Sequence, residues 1–520
     1  MITEGSRFFK SYLIETYANY NNSIGKAFTY DLMLGHSFQH TDYKKTVIEG
    51  QGYPSPSFDV TSVAAEIVKA GSSITAYAMD SYFGRANLAY LNRYIMNLTL
   101  RADGSSKFAR ANRYGYFPSV SLGWNVSNEN FWKNKNTDLK IRLSYGRTGN
   151  QEGIGIYASQ PLISGGNNYK LKSGIAVSSP GNENLQWEKA DQYNIGFDLS
   201  FLNGKINMVL DTYLKNTLNL LYKKPVPTTS GFTSIISNIG SMQNKGVEFT
   251  INGHFNMGGV KWISSLNISH NKNKLTKLLG DEDIITYGSL RAYQVGKEVG
   301  SWYLYKAIGI FQSDEEVPEE LYKKGVRAGD VKYEGYEDGK LDSNDLRFVG
   351  SSNPKVFGGW NNTFTYKNFE LNMMLSYKFG QKVYSSALQQ SERIGGEFGL
   401  TESAFLNRWT GPGTSNSQPR AYISHTNNYK YSTRHLQDGS FIRMRSATFS
   451  FKFPRMLISK LGLNALRLYV QGDNLFLIKT NGYRGYDPEI MNNIEPAFQG
   501  YDNYIVPQPR TITFGLNATF

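Results

Sequence analysis

Apolar and polar residues alternate along most of this chain. In the segment 193–201, apolar side chains occupy the odd positions, and Asn194, Gly196, Asp198 and Ser200 lie between them. Successive side chains of a β-strand point to opposite faces, so a period of two predicts strands with one apolar and one polar face. A helical period competes with it only in a short acidic segment at 314–324.

The alternation predicts an all-β, antiparallel fold of about fifteen strands. Tight-turn signals such as Asn203-Gly204 separate some of them. The apolar phase slips between Met444 and Ala447, which predicts either a β-bulge or the membrane boundary at that point. The predicted strands lie near 8–20, 27–39, 79–91, 94–104, 115–127, 138–147, 189–202, 205–221, 243–256, 261–275, 356–367, 369–380, 439–453, 464–477 and 510–520.

Short and long connections alternate between these strands. Short periplasmic turns and long extracellular loops are typical of outer-membrane barrels, whereas compact soluble domains rarely tolerate many long structureless loops. The sequence therefore predicts a transmembrane β-barrel of a Gram-negative outer membrane. The long loops are predicted near 40–78, 148–188, 222–242, 276–355, 381–438 and 478–509.

Composition agrees with this class and argues against others. Aromatic residues make up 14% of the chain; Trp124, Trp132, Trp262 and Tyr377 suit interfacial girdles, or else ordinary strand packing. The sequence has no continuous apolar run long enough for a transmembrane helix. The net charge is +13, but the basic residues are scattered, so no nucleic-acid partner is expected. The absence of cysteine excludes disulfides and thiolate metal sites.

The predicted strand directions lead to an expectation about the ends of the chain. If short turns are periplasmic, the strand near 8–20 begins outside, and single-chain barrels of this kind have an even strand count. About fifteen strands is an odd number, so we expect an odd number of strands to precede residue 1. The first twenty residues also lack the pattern of a secretory signal, which we expect to lie in that missing part.

Stretches along the whole chain resemble SusC/RagA-type TonB-dependent outer-membrane transporters. They are LRADGSSKFARANRYGYFPSVSLGWNVSNENFW (100–132), LKIRLSYGRTGNQEGI (139–154), NENLQWEKADQYNIGFDLSFLNGKI (182–206), NIGSMQNKGVEFTI (238–251), YEDGKLDSNDLRFVGSSNPKVFGGWNNTFTYKNFELNMMLSYKFG (336–380), GYDPE (485–489) and the terminal TITFGLNATF. The resemblance implies a barrel with an expected 22 strands, of which the C-terminal fifteen or so are present here. The plug domain and the TonB box would precede them.

The resemblance also implies a function and partners. It implies TonB-dependent import of an oligosaccharide or peptide, with a SusD-like surface lipoprotein over the extracellular loops. The TonB complex would act through the missing N-terminal part. Phe520 would end the strand that the barrel-assembly machinery reads, or would simply face outer-membrane lipid. Alternatives are a passive pore, a non-functional fragment of a transporter, and a soluble carbohydrate-binding β protein.

The segment 333–345 is a candidate calcium loop. Aligned on its glycine, it places Asp338, Asp342 and Asp345 at loop positions 5, 9 and 12. Glu334 stands at position 1, which usually holds Asp, and Tyr336 supplies no carboxylate at position 3. The alternative is an acidic turn ordered by hydrogen bonds from its backbone.

Other candidate residues follow from the predicted faces and loops. The tyrosines Tyr157, Tyr169, Tyr422 and Tyr429 are candidate sugar platforms in the loops. No enzyme signature and no cofactor motif other than the calcium loop is recognisable. The polar residues predicted to line the lumen, where they would bind substrate, contact a plug or hydrate the interior, include Arg101, Arg142, Asp198, Asp211, Glu248, Glu370, Arg443 and Arg467.

Overall fold

The computed structural model describes residues 1–520 except 171, 279–283, 288–289, 395–398, 423–426 and 491–498. The chain divides into two compact units. The first comprises Met1–Asn134, Asp138–Gly196 and Tyr213–Gln243. The second comprises Lys135–Thr137, Phe197–Thr212 and Asn244–Phe520.

The first twelve strands include long antiparallel neighbours and two small hairpins. They are β1 (Ile2–Ile24), β2 (Phe28–Gln51), β3 (Glu66–Tyr90), β4 (Tyr94–Ser105), β5 (Tyr114–Asn125), β6 (Asp138–Asn150), β7 (Leu162–Gly165), β8 (Ile175–Ser179), β9 (Glu188–Phe201), β10 (Ile206–Leu218), β11 (Leu221–Pro225) and β12 (Ser234–Asn238). The hydrogen-bonded order is β1-β2-β3-β4-β5-β6-β9-β10, and β7–β8 and β11–β12 are separate hairpins. Short 3-10 helices lie at Thr61–Val63, Arg110–Asn112, Val126–Asn128 and Thr228–Ser230.

The remaining strands belong mainly to the second unit. They are β13 (Ser241–Met257), β14 (Val260–Lys277), β15 (Ile284–Tyr287), β16 (Arg291–Gln294), β17 (Ser301–Tyr305), β18 (Ala307–Ile310), β19 (Val331–Tyr333), β20 (Leu346–Ser351), β21 (Val356–Tyr366), β22 (Phe369–Phe379), β23 (Lys382–Ser385), β24 (Leu436–Asp438), β25 (Phe441–Lys452), β26 (Ala465–Asp473), β27 (Leu477–Lys479), β28 (Tyr501–Asp502) and β29 (Thr511–Thr519). The main order is β13-β14-β21-β22-β25-β26-β29, with β27 beside β25. Smaller sheets have the orders β15-β16-β17-β20, β18-β19 and β24-β23-β28.

The helices are few and short. The α-helices are α1 (Glu319–Lys323), α2 (Ser386–Ser391), α3 (Glu402–Leu406) and α4 (Arg455–Ile458). Further 3-10 helices lie at Asp314–Glu316, Tyr336–Asp338, Ser343–Asp345, Asn427–Tyr429, Thr433–His435 and Ser459–Leu461. The acidic segment 314–324, where a helical period competes with the strand pattern, contains the 3-10 helix Asp314–Glu316 and α1. Across the described ranges, no helix has both the length and the apolar character needed to cross a membrane.

Each of the fifteen predicted strands coincides with a strand of the structure. The predicted bulge is also confirmed: Met374 pairs with Ser446 and Leu375 with Met444, which leaves Arg445 as the extra residue of β25. The expected loop at 40–78 is largely wrong, because β2 and β3 stay paired out to Gln51 and Glu66. Backbone hydrogen bonds between β2 and β3 hold these outer halves together. Their side chains lack the apolar–polar alternation by which a membrane-facing strand is recognised in the sequence.

An aromatic row crosses the sheet of the first unit near its short turns. Phe28 pairs with Tyr90, Tyr90 with Tyr94, and Tyr94 with Trp124 across four successive strands. The Tyr94 hydroxyl and the Trp124 indole N–H both donate to the Glu129 carboxylate, at 2.6 and 3.0 Å. Amphipathic rings with a polar tip suit the level of lipid headgroups, which supports the girdle prediction for Trp124.

On the same exposed face, two paired clusters of charged side chains lie towards the opposite end of the strands. His36 and Tyr114 contact the Asp80 carboxylate at 2.6 and 2.7 Å, and Arg147 makes two bonds to Asp191 at 2.6 and 2.8 Å. From Asp80 to the aromatic row is about 33 Å along β3, or about 25 Å in height at a barrel's usual strand tilt. That height matches the apolar band of an outer-membrane barrel.

Apolar burial is concentrated in the connections rather than in the long strands. In the first unit, Phe108, Ile154, Leu185 and Trp187 form one core cluster with Phe117 of β5. In the second unit, one cluster gathers residues of β18, α1 and β19, and another packs Trp302, Leu304 and Tyr384. The long connections are therefore folded bodies with their own cores.

Candidate ligand cleft in the long connections

A polar cleft of about 550 Å³ opens among the long connections of the second unit. Its walls come from the connections between β14 and β21, between β22 and β25, and between β26 and β29. It therefore lies at the ends of the strands that are opposite to the short turns. The lining residues are Ala307, Ile308, Gly309, Glu392, Ser403, Asn407, Asn416, Ser417, Gln418, Thr433, Arg434 and Arg484.

A buried carboxylate organises one wall of the cleft. Glu392, directly after α2, is hydrogen-bonded and ion-paired to the Arg484 guanidinium. Its second oxygen lies 3.2 Å from His435 Nε2 and 3.9 Å from Arg434 Nη2. Arg434 also donates to the Asn428 carbonyl and to Gln418 Oε1, both at 3.0 Å. A buried charge is tolerated only when paired and hydrogen-bonded, and the Glu392 carboxylate meets that condition.

Protonation leaves the cluster with a surplus positive charge. Burial lowers the pKa of His435 to about 4, and the opposing effect of Glu392 is smaller, so the imidazole is neutral at pH 7. Burial alone would raise the pKa of Glu392, but the bond from His435 and the charge of Arg484 hold it below its usual value. Two guanidinium cations therefore face one carboxylate.

Local hydrogen bonds fix the elements that carry these side chains. Ser385 caps α2 by accepting from the Leu388 N–H at 3.2 Å, and its hydroxyl donates to Asp502 at 3.0 Å. The Ala307 N–H donates to Thr433 Oγ1 at 3.0 Å, which ties β18 to the 3-10 helix that carries Arg434. The cleft walls are thus joined to one another by side chains as well as by backbone.

The GYDPE segment (485–489) anchors the connection between β26 and β29, which carries Arg484, to the sheet. Asp487 is ion-paired with Arg443, whose side chain is 1% exposed, and Glu489 lies 3.2 Å from Arg443 Nε. Glu489 also bonds Arg445, the bulge residue of β25, and lies 3.6 Å from Lys378 Nζ. The prediction that Arg443 lines the lumen stays a prediction; in the described part of the chain the two acids of this segment cover its guanidinium.

The predicted calcium loop has a different arrangement of its carboxylates. Asp342 accepts from the Asn344 N–H at 2.8 Å and Asp345 accepts from the Asp342 N–H at 2.8 Å, which forms a capping box at Ser343–Asp345. Asp338 accepts from the Lys340 N–H at 3.0 Å. Throughout the described ranges, no group of three or more His, Asp or Glu side chains could hold a metal. The loop fits the alternative acidic turn, and calcium binding stays an untested prediction without support from this geometry.

The other predicted lumen residues are partly brought together. Glu370 contacts Lys452 at 2.7 Å and Arg467 at 3.7 Å, and Arg101 contacts Asp103 at 2.6 Å. These ion pairs suit a hydrated polar face. Contact with substrate stays a prediction for Arg101, Arg142, Asp198, Asp211, Glu248, Glu370 and Arg467.

Two of the four candidate tyrosine platforms present their rings to solvent. Tyr169 is 73% and Tyr422 46% exposed. Tyr157 and Tyr429 are half-buried and hydrogen-bonded through their hydroxyls. Stacking on sugars stays a prediction, and the structure favours the first two for it.

Phe520 follows β29 and is 86% exposed. Ile512, Phe514 and Leu516, on the same apolar face of β29, are exposed as well. Facing lipid explains this exposure. The role of Phe520 as an assembly signal stays a prediction.

Sequence reasoning missed the residues that form the cleft. Glu392, Arg434 and Arg484 are separated by 92 residues of chain from first to last, and no local period links them. The one usable signal was the position of Arg484 directly before the GYDPE segment.

Residues 3–390 match the family described as TonB dependent receptor-like, beta-barrel. The chain belongs to this family. The chain is 30% identical over 538 residues to TonB-dependent receptor P3 of Formosa agariphila, and 31% identical over 530 residues to TonB-dependent receptor SusC of Bacteroides thetaiotaomicron. These matches cover 98% and 97% of this chain, and 52% and 49% of the relatives. The predicted resemblance to the SusC/RagA type is confirmed.

Solved structures show the same fold. The RagAB peptide transporter superposes with a TM-score of 0.87 at 24% identity, over 100% of this chain and 56% of that chain. The RagAB peptide importer in its "open-open" state gives a TM-score of 0.86. The predicted outer-membrane location and the β-barrel fold are confirmed. The chain spans about half the length of the curated relatives that it matches.

Proposed function

We propose that this chain is the barrel part of a TonB-dependent importer that carries an oligosaccharide or peptide across the outer membrane. The single observation that carries the proposal is the match to TonB-dependent receptors over 98% of the chain. One relative is SusC, and one similar structure is described as a peptide importer. The relatives are receptors and transporters rather than enzymes, so no covalent chemistry is assigned to this chain.

The folded connections suit a binding role. Their buried clusters and ion pairs hold a shaped surface above the strands, and a rigid scaffold that presents loops is a common way to build a binding site. We assign this surface to a SusD-like lipoprotein and to the nutrient that it delivers. TonB would act through the part of the protein that lies outside this chain, and Phe520 would serve the barrel-assembly machinery.

Uptake measurements in the producing bacterium test this function. Cells that lack the gene should fail to take up one class of oligosaccharide or peptide, and a proton-gradient uncoupler should abolish that uptake in wild-type cells. Affinity purification of the tagged protein should recover a surface lipoprotein. Uptake that persists with the uncoupler, together with steady single-channel conductance of the purified protein, would instead indicate a passive pore.

A further inference from the structure

The cleft in the second unit is lined by a buried cation. Arg434 has a side chain that is only 7% exposed, and it lines the cleft. Its two terminal nitrogens are bonded, but among the described residues its Nε–H has no acceptor. The Nε atom is itself buried, so Arg434 acts on the cleft through its charge, which stabilises an anion placed nearby.

Arg484 supplies a second cation to the same cleft. Its side chain is 37% exposed, although one terminal nitrogen bonds Glu392 and the other lies 3.3 Å from the Arg434 carbonyl. The single carboxylate of the wall offsets one of the two guanidinium charges. In a partly enclosed cleft the remaining positive charge attracts anions more strongly than it would in open water.

The rest of the lining is uncharged and rich in hydrogen-bonding groups. Ser403, Asn407, Asn416 and Ser417 supply hydroxyls and amides, and Ile308 supplies an apolar edge. The volume lies in the usual range of small-molecule sites. Such a lining suits a ligand with many hydroxyl or amide groups and one negative charge.

We infer that this cleft binds a carboxylate carried on a hydroxyl- or amide-rich ligand, with Arg434 and Arg484 as its recognition residues. Guanidinium groups match the planar geometry of a carboxylate, which favours this anion. The carboxylate could come from a uronic acid in an oligosaccharide or from the C-terminus of a peptide. The inference rests on the proposed import function, because it names the chemical class of nutrient at that surface.

Calorimetric titration of the purified protein in detergent tests the inference. The probes are a galacturonate trisaccharide and its methyl ester, and a neutral tripeptide with a free or an amidated C-terminus. We expect at least one acid to bind tenfold or more tightly than its uncharged counterpart, and the identity of that acid separates the two sources. Equal binding of both members in each pair, or no binding by either acid, overturns the inference.

Arginine variants test whether the cleft is the site. Arg484→Gln should remove most of the preference for the acid. Arg434→Gln should have the same effect, provided that the variant still gives the heat-modifiable gel band of a folded barrel. Arg327→Gln is a matched control, because Arg327 stacks on Tyr322 outside the cleft lining and should leave binding unchanged. An unchanged acid preference in folded Arg484→Gln protein overturns the assignment.

Uptake assays in cells distinguish a failure of the cleft inference from a failure of the proposed import function. Loss of acid binding in Arg484→Gln with uptake of other nutrients intact supports the inference and leaves the import function standing. Acid binding by the purified protein without any TonB-dependent uptake would contradict the import function alone. Uptake of only neutral nutrients, unaffected by Arg484→Gln, would overturn the inference alone.

Discussion

The long strands and the long connections of this chain are built by opposite rules. The strands display leucine, phenylalanine and tyrosine on an exposed face, as Leu34, Leu100 and Phe514 show. The cores of the connections bury theirs, as Trp302 and Tyr384 show. A bilayer accepts apolar side chains from a strand, whereas a body surrounded by water must bury them. The same residue types therefore have different energetic roles in the strands and in the cores of the connections.

The largest effect is expected from a large-to-small change in a connection core. Trp302 is fully buried, donates to the Lys382 carbonyl at 3.0 Å and lies under the Arg291 guanidinium. Trp302→Ala should cost about 3–5 kcal/mol, because a cavity forms in packed protein. Phe514→Ala should cost about 2 kcal/mol, because fluid lipid fills the space.

Urea unfolding in lipid vesicles measures both variants. Equal losses for Trp302→Ala and Phe514→Ala would contradict the contrast between packed connections and lipid-facing strands.

The second prediction concerns the anchor between a connection and a strand. Arg443→Ala should leave Asp487 buried without its ion-pair partner, whereas Glu489 keeps Arg445 and Lys378, at a cost of about 3 kcal/mol to the connection. Limited proteolysis should then cut within 474–510, while the barrel keeps its heat-modifiable band. Lys261→Ala, at an exposed position, serves as the control. An uncut connection in Arg443→Ala protein would show that the anchor contributes little.

The third prediction is a pH effect confined to the connections. His435 has a folded pKa of about 4, below the usual value near 6.5, so the unfolded chain takes up a proton first as pH falls. The stability of this region should fall from pH 6.5 to pH 4 and should be unaffected by this group above pH 6.5. His435→Gln should flatten that slope, and exposed His254→Gln should not. Hydrogen exchange of residues 427–440 measures it.

The smallest effect is expected at the acidic turn. Asp342→Ala should cost about 1 kcal/mol through loss of the N-cap, equally with and without calcium. Thermal unfolding in calcium and in EDTA checks this. If calcium raised the Tm by several degrees and Asp342→Ala removed that rise, the calcium-loop prediction would be supported again.

Strands were predictable wherever the two faces meet different surroundings. Lipid on one side and a polar interior on the other impose a period of two, and the slip near Met444 even located the bulge at Arg445. The outer halves of β2 and β3 escaped prediction because water on both faces leaves no such period. The cleft escaped it because Glu392, Arg434 and Arg484 meet only through tertiary folding.

The GYDPE anchor sets how far the neighbouring recognition arginine can travel. Arg484 is three residues before Asp487, and a fully extended chain covers about 3.5 Å per residue. Its backbone is therefore held within about 10 Å of the Asp487 backbone, whose side chain is ion-paired to Arg443 of β25. The Arg484 side chain is therefore ordered before a ligand reaches the cleft, and little binding free energy is lost in ordering a flexible segment. Capture at this point should then be limited by the arrival of the ligand.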